Sequence, residues 1–192
     1  MKNTCAIPFL SVVNAVLLAC LTVPQASVNG SDWPAYHCDV QRSGYTSEAV
    51  TDELKLAWSF KLPHAPTPAW SRNGRIRYDD VFQPVVAGDS VFFGDHAEGM
   101  LRVIDLKTGR EKWRFQTDGP IRCAPTVWKG SVIVGSDDGR IYSLKVSDGS
   151  VRWSIRPGPS DELVLGNGYM ISKWPVRGAP TVEGDTVYVG AG

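Results

Sequence analysis

The sequence carries no excess charge of either sign. Its 20 Lys+Arg balance 20 Asp+Glu, with 3 His. That removes the basic footprint of nucleic-acid binding and leaves no acidic or basic tail, so no nucleic-acid partner is expected. Cysteine is scarce. Cys5 and Cys20 lie near the start, and Cys38 and Cys123 stand far apart. No C-x-x-C, no haem C-x-x-C-H and no Cys/His zinc spacing occurs, so no metal ligand set is expected. A Cys38–Cys123 disulfide and two separate buried thiols both remain open. Nucleophile elbows, Walker loops and H-E-x-x-H are absent. No window sustains a 3.6-residue apolar period, which excludes a helical solenoid. Hydrophobic residues at 43% and charged residues at 21% exclude a disordered chain.

What is present begins with a leader. Lys2 is the only charge before Asp32, and an apolar stretch runs from Ala6 to Val23. Its length suits the apolar core of an export signal better than a membrane span. Residues 1–30 therefore read as an export signal, which places the protein in the periplasm or cell envelope of a bacterium. Cleavage near Ala26–Ser27 is one reading. Leu17-Leu18-Ala19-Cys20 is the other: it resembles a lipobox, with Cys20 as the lipidated residue and a lipid anchor to the membrane.

Turn formers and large aromatics are abundant, with Gly 19, Pro 13 and Trp 7. They belong to a repeat. Pro84–Gly94, Pro125–Gly135 and Pro180–Gly190 share Pro, Val two residues on, a turn containing Gly, Val, a hydrophobic pair and a closing Gly. Leu101–Trp113 follows the first and Ile141–Trp153 the second, a period of about 40 residues. In the second unit strands are predicted near 125–128, 131–135, 140–145 and 150–156. Lys129-Gly130, Asp137-Asp138-Gly139 and Ser147-Asp148-Gly149 provide the turns. Four meandering strands per repeat define a β-propeller blade. The predicted class is all-β, a propeller of four-stranded antiparallel blades with about two and a half blades present. The expected layout is an entry segment at 31–62, blades at 84–116 and 125–156, and a partial blade at 180–192. Propellers usually have four to eight blades, so a fragment of a longer protein is expected.

Asp105-x-x-Thr108-Gly109-x-x-x-Trp113 resembles the repeat of pyrroloquinoline-quinone (PQQ) type propellers. The second unit departs from it, with Lys145 where Asp105 stands and Asp148 in place of Thr108. Asp32-Trp33-Pro34-x-Tyr36-x-x-Asp39-x-x-Arg42-Ser43-Gly44 resembles the entry segment of exported members. Leu54-x-Leu56-x-Trp58-x-Phe60 resembles the lone outermost strand that closes the ring. The resemblance implies that Trp58, Trp113 and Trp153 dock between blades, where they should be largely buried. It also implies one of three functions. The first is a non-catalytic binding or assembly scaffold at the envelope without a cofactor, like the lipoprotein propeller of the outer-membrane assembly machinery. The second is a quinoprotein dehydrogenase for alcohols or sugars, holding PQQ with calcium in its channel. The third is a propeller appended to an enzymatic domain lying outside this sequence. The scaffold is favoured, because the second repeat diverges and no redox motif appears. No residue here maps onto the family's calcium ligands or catalytic Asp, and its vicinal Cys pair is absent.

Candidate binding residues come from loop lengths. Two links between blades are long, Leu62–Gln83 and Pro157–Ala179, and both should reach one face together with Asp95–Gly99 and Ser136–Gly139. Long loops on a rigid scaffold carry recognition. The candidates for a protein or polar-ligand face are Trp70, Arg75, Tyr78, His96, Tyr169, Trp174 and Arg177. The turn around His96 is expected to be solvated, and Asp137-Asp138-Gly139 is expected to serve turn geometry.

Overall fold

The computed structural model describes residues 31–50, 53–69, 79–166 and 168–192. They form twelve strands and, among the described residues, no helix. Strands β1 (Val85–Ala87), β2 (Ser90–Asp95), β3 (Met100–Asp105) and β4 (Glu111–Gln116) make one antiparallel sheet in that order. Strands β5 (Thr126–Trp128), β6 (Ser131–Gly135), β7 (Ile141–Lys145) and β8 (Val151–Ile155) repeat it. A hairpin follows, β9 (Leu163–Gly166) with β10 (Tyr169–Ser172), and then β11 (Thr181–Glu183) pairs with β12 (Thr186–Tyr188). The all-β, four-stranded propeller architecture expected from the repeat is what the chain adopts.

Turn chemistry sets the register. Trp128 faces Ser131 across Lys129-Gly130, and both turn residues have positive φ (43° and 72°). That is the backbone a two-residue hairpin demands, and Gly supplies it without steric cost.

The middle strands are buried on both faces: every residue of β6 and all but the last of β7 are buried. A sheet packed between two others explains runs such as Val132-Ile133-Val134, which do not alternate. One core joins the first two sheets through Phe92, Leu101 and Val103 against Ile121, Val132, Val134 and Leu144. A second joins Ile133 and Ile141 to Val176 and Val182 of the third. Burying each such side chain contributes about 1.5–3 kcal/mol.

Trp58, Trp113 and Trp153 are half-buried. Trp58 donates its indole N–H to Leu106 O (2.8 Å), and Trp113 donates to Val146 O (2.9 Å). Each ring lies on a turn glycine: a Cβ on Gly109 would be 2.6 Å from Trp58, and one on Gly149 2.6 Å from Trp113. Trp153 packs on the core against the third sheet.

One expectation needs correction. Residues 54–60 form no strand, and Leu54 and Leu56 are strongly exposed. A strand needs a free edge to pair with, and no third strand among the described residues offers one there. Trp58 still docks, because its contact is to a turn of the first blade and not to a strand.

The entry segment runs along the free edges of the first strands. Trp33 exchanges two backbone hydrogen bonds with Val86 (both 2.8 Å), and Pro34 O accepts from Val127 N (2.7 Å). Arg42 then reaches Thr181 Oγ1 (3.2 Å). It therefore ties all three sheets together on their inner side.

Candidate functional site

At one end of the sheets, the links into β5 and β11 cross the turns that join second to third strands. Gly94 and Gly135 lie at the ends of β2 and β6, next to last in the first and last in the second. Neither has room for a Cβ, because Ile121 and Val176 of the links sit on them. Asp137 N donates to Pro120 O (2.9 Å), and Val176 N donates to Ser136 O (3.0 Å). One residue past each of these apolar plugs comes an arginine.

Those two arginines flank one carboxylate. Arg122 Nε donates to Asp137 Oδ2 (2.7 Å), and Arg177 Nε donates to Asp137 Oδ1 (2.8 Å). Arg122 Nη1 also donates to Asp79 Oδ2 (2.9 Å) and Thr67 O (2.6 Å). Ala69 N donates to the same Asp79 oxygen (2.7 Å). Asp137, Asp79 and Arg122 are all buried. Burying charge is costly unless it is paired and hydrogen-bonded, and here two acids meet two guanidiniums. Described parts of both long links therefore converge on Arg122 and Asp137.

The second link is not a plain loop. Its β9–β10 hairpin lies over the same end: Ser172 N donates to Asp137 O (2.8 Å), and Tyr169 OH approaches Ala97 O (3.5 Å). Leu163, Leu165 and Met170 project from it, 51%, 77% and 57% exposed, the apolar surface this end offers to solvent.

The candidate residues fall as follows. Trp70, Arg75 and Tyr78, like Cys20, lie outside the described residues. Tyr169 and Trp174 are half-buried, Trp174 against Gly158. Arg177 belongs to the ion-pair network. His96 is not solvated as expected; it is 1% exposed, because Phe82 covers its ring (centroids 5.4 Å apart). Asp137 does more than shape a turn, since both its oxygens accept from arginines. Arg122 escaped the sequence reading. The signal for it was Pro120-Ile-Arg-Cys-Ala-Pro125 beside Pro175-Val-Arg-Gly-Ala-Pro180, a second repeated pattern just ahead of the one used.

Burial dominates the electrostatics. It pushes the Cys123 thiol up to about 11, with Asp137 and Asp79 adding to the shift. Cys38 and Cys123 are unpaired thiols, both half-buried, and Cys123 donates to Arg177 O (3.0 Å). Burial holds the His96 imidazole below its ordinary value, Arg122 adding to the effect while Asp79 and Asp95 oppose it.

PQQ is a tricarboxylate and would need open guanidinium or amide donors, together with oxygen ligands for calcium. The two arginines at this end are committed to Asp137 and Asp79. No group of three or more His, Cys, Asp or Glu that could hold a metal exists among the described residues. The described residues do not fit the group, and no chemistry is derived through it.

Fold and repeat together define a β-propeller protein of the PQQ-repeat class. A family model described as "Outer membrane protein assembly factor BamB" matches residues 49–192, and the chain belongs to that family. Among curated relatives, the outer membrane protein assembly factor BamB of Escherichia coli (strain K12) is 31% identical over 47% of this chain and 26% of its own length. The dehydrogenase subunit of the quinone alcohol dehydrogenase of Gluconacetobacter polyoxogenes is 29% identical over 81% of this chain and 26% of its own. The crystal structure of quinohemoprotein alcohol dehydrogenase from Comamonas testosteroni matches with a TM-score of 0.61 at 22% identity, over 84% of this chain and 23% of that one. The chain thus spans about a quarter of the length of these relatives.

Proposed function

We propose that the protein is an exported, non-catalytic propeller that acts as a binding or assembly scaffold at the bacterial envelope, with the long-link end as its recognition face. One observation carries this reading. Four charged groups at that end, Asp79, Arg122, Asp137 and Arg177, pair with one another, while the hairpin above them exposes Leu163, Leu165 and Met170. A site for chemistry keeps polar groups available to a substrate; a site for a protein partner offers an apolar patch with polar surroundings. Kinship with an outer membrane assembly factor supports the same reading. In it, residues 1–30 direct export and Cys20 carries lipid. Trp70, Arg75 and Tyr78 contribute to the face with Tyr169 and Trp174.

The test uses the full-length protein. A photo-crosslinking residue at Leu165 or Met170 should trap one defined envelope protein in cells, and one at exposed Lys129 should not. Equal trapping at both sites, or none at the hairpin, overturns the reading. Cys20→Ser should move the protein from the membrane to the soluble periplasmic fraction; if the unaltered protein is already soluble there, the lipid anchor is wrong.

The second reading is a PQQ-dependent dehydrogenase. It is favoured by quinone alcohol dehydrogenase relatives that match 81% and 89% of this chain. It predicts dye-linked oxidation of alcohols or sugars when PQQ and Ca²⁺ are added to the full-length protein. Such turnover would replace the scaffold reading.

A further inference from the structure

The β9–β10 hairpin leaves one strand edge open. Lys173 N donates to Glu162 O (2.8 Å), so these two residues form a hydrogen-bonded pair of the antiparallel ladder. Such pairs alternate along a ladder. Val164 opposite Ile171, and Gly166 opposite Tyr169, therefore turn their backbone groups toward β10. Leu163 and Leu165 turn theirs away from it. Ser172, opposite Leu163, shows the same alternation on the other strand, because its N–H points outward to Asp137 O (2.8 Å). Among the described residues no strand pairs with the outer side of β9. Leu163, Val164 and Leu165 are 51%, 37% and 77% exposed.

Other edges of the molecule are protected. The entry segment covers β1 and β5 through Trp33 on Val86 and Pro34 on Val127. The outermost strands β4 and β8 carry charge, Glu111, Lys112 and Arg114 on one and Arg152 on the other. Charge on an edge strand discourages pairing with another chain. Strand β9 reads Leu-Val-Leu-Gly and has neither cover nor charge. A sheet of two strands is also marginal in water, and added strands stabilise it.

The open edge is its own complement. Leu163 and Leu165 lie on either side of Val164, so a two-fold axis through Val164 brings an antiparallel copy into register. Leu163 then exchanges backbone hydrogen bonds with Leu165 of the second copy, and Leu165 with its Leu163. Their side chains meet on one face as apolar cross-strand pairs. Glu162 comes opposite Gly166 and not opposite another acid, and its charge is already held by Lys173 (2.9 Å). We propose that β9 pairs with β9 of a second copy, joining the two hairpins into one sheet about a two-fold axis. The pairing uses backbone groups at the edge and leaves the face of Leu163, Leu165 and Met170 turned to solvent. It therefore goes beyond the scaffold reading and stands or falls independently of it.

Sedimentation of the full-length protein and cysteine trapping test this. The unaltered protein should form a dimer whose share rises with concentration. Leu165→Pro removes an outward N–H from each copy and leaves the ladder to β10 intact, so it should weaken dimerisation about tenfold or more. Val164→Cys places two thiols across the axis with Cα atoms about 4.5 Å apart, within disulfide reach. It should give a disulfide-linked dimer on mild oxidation. Leu165→Cys places them about 8–9 Å apart, beyond that reach, and should give no more dimer than the unaltered protein with its native thiols. A monomer at every concentration overturns the proposal, as does a dimer that Leu165→Pro leaves intact. Equal disulfide yields at the two positions, or capture of a different protein by Val164→Cys, overturn it too. If Leu165→Pro does not fold, the two cysteine variants decide alone.

Discussion

The indole N–H of Trp113, in the first blade, donates to the carbonyl of Val146 in the second, 2.9 Å away, and the same ring covers Gly149. Trp58 repeats both contacts one blade earlier, with Leu106 and Gly109. Blade docking therefore rests on an indole that needs both its flat face and its N–H. Trp113→Phe should cost about 1 kcal/mol through the lost hydrogen bond. Trp113→Ala should cost about 3 kcal/mol, at the low end for a large aromatic because the ring is half-buried. Urea unfolding measures both. An unchanged stability of Trp113→Phe would show that the N–H contributes nothing, and equal losses for the two variants would show that the ring face contributes nothing.

The glycine side of the same joint is separable from backbone geometry. Gly149 and Gly184 both have positive φ (72° and 59°). A Cβ on Gly184 would meet nothing within 4 Å, while one on Gly149 would strike Trp113. Gly184→Ala should therefore cost only the left-handed strain, about 1 kcal/mol. Gly149→Ala should cost at least twice that, because Trp113 must move. Equal destabilisation of the two variants would sink the close-packing account.

These joints were legible because they are local and repeated. The glycines, the turn pairs and the tryptophans sit at fixed offsets, so comparing units reveals them. Arg122 and Asp137 were not legible in the same way. Their partners come from three segments, Asp79, Arg122 and Arg177, which only the folded chain brings together. His96 misled for the same reason: a polar residue in a turn reads as solvated until Phe82 is seen lying over it. The strand expected at 54–60 failed because pairing is a property of two strands. The β9–β10 hairpin was hidden inside what length alone marked as a loop.

Asp137 is the shared anchor of the links that carry Arg122 and Arg177, and its removal should be expensive. Asp137→Asn leaves two guanidiniums with half their compensation, Arg122 of the two being buried. Breaking a buried pair by neutralising one partner costs about 3–5 kcal/mol. The exposed pair Lys129–Asp185, with side chains 68% and 84% exposed, is the contrast. Lys129→Ala should change stability by less than about 0.5 kcal/mol. Matching unfolding midpoints for the two variants would refute the anchoring role.

The two thiols should differ in reactivity. Cys123 is pushed up to about 11 by burial, so at pH 8 only about one molecule in a thousand carries its thiolate, the nucleophilic form. Cys38 borders a cavity between the entry segment and the second and third sheets, where a reagent can approach it. In the folded protein an aromatic disulfide reagent at pH 8 should modify Cys38 first. Cys123 should react slowly, its rate rising about tenfold per pH unit toward its titration point. Unfolding in denaturant without reductant should then make both react at once, because neither is held in a disulfide. Peptide-resolved mass spectrometry assigns the modified residue at each time point. Cys123 modified as fast as Cys38 would mean that its pocket is open to solvent. Modification of either only after reduction would mean that the two are bridged.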